Sequence, residues 1–205
     1  MDRKWKKEVE NMTTWEQWKA LYDKKKGAGN ISLWNSKNPY RGCSLLVELL
    51  PKILKKYKIK SFLDIGCSNR YWISALDWSG IKYIGYDIVD GIIQSNILKY
   101  PDHEFKCMNM IEDECPTVDM VFMRSVLIHT DLKDCNKILN NIKSSGSKYL
   151  MVSTSPELTI NMETSCLWLV KRNLLIDPIN LPKPLEMIPE IKDIDKNNYM
   201  GIWEL

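Results

Sequence analysis

A chain of 205 residues with 29 Lys and Arg against 26 Asp and Glu, formal net charge +3, is long enough for one domain with a real core and too evenly charged to act through charge alone. Six cysteines without a C-x-x-C pair and only two histidines, His103 and His129, give no pattern for a disulfide framework or a zinc centre, so no metal is expected and the thiols suit a reducing, cytoplasmic setting. The opening "MDRKWKKEVENM" lacks the apolar stretch of an export signal, and the longest apolar run, "LLVELLPKIL", is broken by Glu48, Pro51 and Lys52, far short of the ~20 apolar residues of a membrane span.

In chain order, an amphipathic segment with Trp5, Trp15, Trp18, Leu21 and Tyr22 comes first, followed by "DKKKGAGNISLWNSKNPYRG", which has the Gly, Asn, Ser and Pro content of a loop. Residues 1–40 are therefore expected to form a helical segment and a lid loop, with a single domain over 41–205. "CSLLVELLPKILKKYK" has helical spacing, Pro51 either kinking it or starting a second short helix. Strand-like runs "SFLDI", "KYIGYDI", "EFKCMN", "VDMVFM" and "SKYLMVST" then alternate with helix-like runs near "YWISALDW", "DGIIQSNILKY" and "DLKDCNKILNNIK". Asp131 suits the N-cap of the last helix and Gly146 its stop. That rhythm predicts an α/β fold: a mostly parallel sheet with helices on both faces and right-handed crossovers. The proline-rich tail, "PINLPKPLEMIPEI", and the alternating "YMGIWEL" are expected to close the sheet with an antiparallel β-hairpin.

In open α/β sheets ligands lie beyond the carboxyl ends of the strands, so the strand tips carry the functional information. Four tips stand out: Asp64-Ile65-Gly66-Cys67-Ser68-Asn69; Asp87, 23 residues beyond Asp64, where a carboxylate accepts hydrogen bonds from ribose hydroxyls; Asn109 with Met110; and Arg124-Ser125 with His129. A dinucleotide needs G-x-G-x-x-G, and only Gly66 is present, so a pyrophosphate fits poorly. S-adenosylmethionine has no phosphate: its carboxylate can sit at the backbone N–H groups of the turn and its ammonium beside Asp64. The plainer alternative is a tight turn at Gly66 with Asp64 capping the next helix.

Taken together, Pro39-Tyr40-Arg41, "DIGCSN", "LDWSG", "YIGYD", "RSVLIH", "SGSKYL" and "NLPKPL" resemble a bacterial and viral subgroup of the class I S-adenosylmethionine-dependent methyltransferases, over about Gly27 to the C-terminus. The resemblance implies a Rossmann-like class I methyltransferase fold with a seven-stranded sheet. It implies S-adenosylmethionine as cofactor and S-adenosylhomocysteine as product. Asp64, Gly66, Cys67 and Ser68 fall at the methionine end of the site, Asp87 and Ile88 at the ribose and adenine edge, and Asn109 and Met110 beside the adenine. Tyr40, Arg41, Arg124 and Ser125 complete the cofactor set. The sequence departs from the subgroup at Ser68-Asn69, where a second Gly and an acidic or small neighbour are usual, and at Ser125, commonly Asp.

Methyl transfer is an in-line displacement, for which a protein supplies alignment and a dry site. A hydroxyl acceptor must also lose a proton. His129 is then the candidate base, with Asp77 and Asp131 as reserve carboxylates and Arg124 or Arg41 as a clamp on an acidic group. Gly27 to Arg41 is expected to close over the cofactor, Trp34 or Tyr40 shielding the sulfonium. Analogy with the subgroup points to O-methylation of a sugar or other glycan hydroxyl. Two further readings stay open: nucleic-acid methylation, for which only the lysines around "PKILKKYKIK" speak, and an inactive cofactor-binding partner subunit; homodimerisation is likewise open.

Overall fold

The computed structural model describes residues 12, 16, 17, 19–21, 23, 44–70, 73–163, 169–190 and 198–205. The expected lid with Trp34, Tyr40 and Arg41, and the aromatic residues Trp5, Trp15, Trp18 and Tyr22, lie outside them.

Helix α1 (Ser44–Lys56) runs unbroken through Pro51, so the alternative of a second helix starting there falls. Its Leu46, Leu50, Ile53 and Leu54 recur on one stripe and are buried. Strands β1 (Ser61–Ile65), β2 (Lys82–Asp87), β3 (Glu104–Cys107), β4 (Met120–Met123) and β5 (Tyr149–Thr154) pair in parallel, and β6 (Glu186–Pro189) and β7 (Tyr199–Glu204) are added antiparallel. The order across the seven-stranded sheet is β3-β2-β1-β4-β5-β7-β6, with β7 between β5 and β6, as the tail pattern predicts.

The period-2 alternation of the strands divides the core into two layers. Phe62, Tyr83, Met120, Phe122, Met151 and Ile202 face α1 and Ile93 of helix α2 (Asp90–Lys99). Leu63, Ile65, Val121, Met123, Leu150 and Val152 face helix α3 (Leu132–Ser144), whose Cys135, Ile138, Leu139 and Ile142 are buried. Asp131 caps α3 by accepting the Asp134 N–H at 2.8 Å, and Gly146, at φ +71°, turns the chain out of it.

One expected element is different. In place of a helix over 71–78, the described part of that stretch holds only a 3-10 turn, Ile73–Ala75. Ser68 and Arg70 just before it adopt left-handed dihedrals, φ 48° and 55°, so the chain does not leave β1 in a helical direction. The Trp78 indole N–H then donates to the Ile73 carbonyl at 3.1 Å, closing the turn.

Candidate active site

The chain moves from β1 to β2 and β3 on one side, then returns to β4 on the other. Strand order therefore reverses between β1 and β4, and a ligand crevice belongs at the tips of those strands. Gly66 ends β1 at φ +72°, and a Cβ there would lie 2.6 Å from Val126 Cγ2, so the turns after β1 and β4 touch and only glycine fits between them. Ser68 is held in the left-handed region at φ 48°, which glycine would adopt without strain, at a cost of about 1–2 kcal/mol.

The turn is held from β2. The N–H groups of Gly66 and Cys67 both donate to the Tyr86 carbonyl, at 2.8 and 3.0 Å. The Ser68 N–H donates to Asp87 Oδ2 at 2.9 Å, and Asp87 Oδ1 accepts the Val89 N–H at 3.0 Å. These three turn N–H groups, assigned from the sequence to a ligand carboxylate, are thus engaged within the chain. Burial lifts the Asp87 carboxyl above its usual range, against backbone N–H bonds from Val89, Ser68 and Ile88 that pull it down. From α2, the buried Asn96 amide donates to the Ser68 carbonyl at 2.6 Å, a support that nothing in the sequence pattern marks.

Asp64 is 5% exposed, and its Oδ2 accepts the Tyr83 hydroxyl proton at 2.6 Å. Burial raises its pKa to about 7, with the Tyr83 hydrogen bond and the nearby Arg70 and Arg124 charges pulling the other way. Cys67 turns its thiol into the core, within hydrogen-bond reach of Asn96 and against Gly85, and burial drives the thiol pKa well up; any cofactor contact from this residue is through its backbone.

Ile88 packs beside Val89 and Ile92. Asn109 organises the segment after β3: its side-chain oxygen accepts the Ile111 N–H at 3.2 Å and its own N–H donates to Asp113 at 2.7 Å. Met110 is buried in the α3-side core.

The tip of β4 is tied to the C-terminal hairpin. Arg124 Nε donates to Glu190 Oε2 at 2.8 Å, with the two side chains only 18% and 4% exposed. Ser153 Oγ donates to Glu190 Oε1 at 3.0 Å and accepts the Ser125 N–H at 3.0 Å, which holds Ser125 left-handed at φ 57°. The acidic group clamped by Arg124 is therefore a residue of this chain. Glu190 and Ser153 escaped the sequence reading; the only cue is a lone acid among the apolar residues of "MIPEI".

His129 ends a 3-10 turn, Leu127–His129, just past that tip, half-buried. Burial lowers its pKa to about 4, so the ring is neutral at pH 7. Asp77 is not brought to this edge. It is exposed in the loop that enters β2 from the opposite end of the sheet, and its carboxylate accepts the Ser79 N–H at 2.9 Å, a turn role that rules it out as a reserve base. Asp131 is likewise committed, to capping α3. Among the described residues no group of three or more His, Cys, Asp and Glu is arranged to hold a metal ion, and no helix is long and apolar enough to cross a membrane.

Solved structures share this architecture. The magnesium protoporphyrin IX methyltransferase of Synechocystis PCC 6803, solved with bound S-adenosylmethionine, aligns over 96% of this chain and 92% of its own, with a TM-score of 0.55 at 14% identity. The N-methyltransferase NodS of Bradyrhizobium japonicum WM9 aligns over 82% and 97%, with a TM-score of 0.61 at 13% identity. The fold is that of class I methyltransferases. Human N-acetylserotonin methyltransferase, in complex with S-adenosylmethionine, aligns over 78% of this chain and 54% of its own, with a TM-score of 0.53 at 12% identity. By name, one acts on magnesium protoporphyrin IX, one on N-acetylserotonin, and NodS is an N-methyltransferase, so the shared architecture does not fix an acceptor. No family model matches the chain, and no curated protein matches it in sequence.

Proposed function

We propose that the chain is an S-adenosylmethionine-dependent methyltransferase with its cofactor site over the tips of β1, β2 and β4. The observation that carries this reading is the coupling of Asp87 to the turn after β1: one carboxylate, at the tip next to the strand-order reversal, pins Ser68 and Val89 and keeps lone-pair capacity for a ribose hydroxyl. The donor set fits a sulfonium nucleoside amino acid. Asp87 and Ile88 hold the ribose and adenine edge, Asn109 and Met110 flank the base, and the second oxygen of Asp64 meets the ammonium. Arg124 with Ser125, from the β4 tip, borders the methionine end. When bound, the cofactor supplies an electrophilic methyl group.

The acceptor, on the motif resemblance, is a sugar or glycan hydroxyl approached from the β4 side. There the neutral His129 ring takes its proton, while Glu190 and Arg124 fix the tip that carries the histidine.

Titration calorimetry with S-adenosylhomocysteine tests the reading directly. Because Asp64 is half ionised near pH 7, pairing it with the ligand ammonium releases a proton. Affinity is expected to fall towards about tenfold per pH unit below pH 7, and Asp87→Ala to weaken binding by at least about tenfold. Absence of binding by the intact protein at any pH from 6 to 9 would refute the cofactor assignment.

A further inference from the structure

A cavity of about 540 Å³ lies away from the strand tips, on the α1 and α2 face beside the start of β2. Its lining includes Arg70, Trp78, Tyr83, Tyr100 and His103, with the exposed side chains of Asp77, Lys82, Asp102 and Glu104 at its rim.

Arg70 is 2% exposed, and no carboxylate pairs with it among the described residues. Its guanidinium lies 3.9 Å from the Tyr83 ring centroid and 4.7 Å from that of Tyr100. Ring faces compensate its charge, but they do not satisfy its N–H groups, and among the described residues Nε and Nη2 have no hydrogen-bond partner. A buried cation with unpaired donors is costly, and a well-packed apolar side chain would be at least as stable in its place. That cost is repaid when an anionic ligand enters.

The walls and rim narrow the ligand class. Tyr100 and His103, both only partly buried, offer aromatic surface for a flat ring, with the buried Tyr83 and Trp78 packed behind them. Three rim acids against Lys82, which is itself paired with Glu104 at 2.8 Å, disfavour a dianion. We propose that this cavity binds a small aromatic monocarboxylate, its carboxylate taken by the Arg70 guanidinium and its ring by the aromatic walls.

The two histidines make the test specific: His103 lines this cavity, and its ring lies 5.2 Å from that of Tyr83, while His129 sits at the β4 tip. Benzoate, benzamide and inorganic phosphate are titrated separately against the whole protein without cofactor, following the histidine ring signals by NMR. Benzoate is expected to shift His103 saturably and leave His129 in place, with benzamide and phosphate moving neither. Arg70→Met is expected to weaken benzoate by at least about tenfold. Asp102→Lys, on the exposed rim, keeps the fold and is expected to tighten benzoate severalfold. A His103 response equal for benzamide, a response to phosphate without one to benzoate, no response to benzoate, or unchanged benzoate affinity in both variants would overturn the proposal. None of these outcomes depends on S-adenosylmethionine binding.

Discussion

Substituting Gly66 by alanine tests the contact between the two turns that frame the crevice. Two independent costs apply. At φ +72° an alanine pays about 1–2 kcal/mol for the left-handed conformation. Its Cβ also falls 2.6 Å from Val126 Cγ2, on a β-branched side chain with little freedom to turn aside, which adds about 1–3 kcal/mol of overpacking. Gly66→Ala should therefore destabilise the protein by about 2–5 kcal/mol, a large share of the roughly 5–15 kcal/mol typical of a domain. Only the second cost depends on Val126. In a double-mutant cycle followed by urea unfolding, Gly66→Ala made in a Val126→Ala background should recover about 1–3 kcal/mol, while the backbone cost stays. A Gly66→Ala cost below about 1 kcal/mol, or one that Val126→Ala leaves unchanged, would refute the idea that these turns are packed against each other.

Asp64, with a folded pKa raised to about 7, keeps a proton that the unfolded chain has already released, so its contribution to stability is fully present below about pH 4 and lost as pH rises to about 7, by up to about 4 kcal/mol. The stability difference between the native protein and Asp64→Asn, followed by urea unfolding from pH 4 to 8, should show that slope and flatten above pH 7. Glu190→Ala removes the buried ion-pair partner of Arg124 and the acceptor of Ser153, so a loss of about 2–3 kcal/mol in unfolding free energy is expected, with Glu190→Gln losing less. With cofactor kept saturating at each pH, kcat that uses His129 as base should stay level from about pH 8 to about pH 5 and fall near pH 4, the depressed pKa of the buried ring; a kcat limb near pH 6.5 would point to another base.

What the sequence made legible and what it hid have separable physical causes. The five parallel strands read correctly because four are short, largely apolar runs and β3 alternates, each bounded by turn residues, a signal local to a few positions. The 71–78 segment misled because apolar spacing does not report the left-handed dihedrals of Ser68 and Arg70, which prevent a helix from starting. Asp64, Gly66 and Asp87 were legible as residues at strand tips, since an apolar run that ends in an acid and a small-residue turn marks where a strand stops. The partners that hold those residues were not. Glu190 reaches Arg124 across 66 positions and Ser153 across 37, and Tyr83 meets Asp64 only through strand register, so pairing of this kind exists only after the sheet has formed.

Tyr83 explains why a turn with two opposite charges is tolerated in a nearly dry interior. Its hydroxyl donates to Asp64 while its ring face carries the Arg70 guanidinium, so one side chain stabilises an anion at its edge and a cation over its face. Neither charge is neutralised by direct contact. A direct Asp–Arg ion pair would satisfy both and leave neither available, whereas separation by an aromatic ring keeps the carboxylate titratable near neutral pH and the guanidinium short of hydrogen-bond partners. The seven-residue stretch from Asp64 to Arg70 thus keeps two charges apart on the same layer of the sheet, with the Tyr83 side chain between them. The stability given up by leaving both unpaired is the physical reason to look for ligands at each.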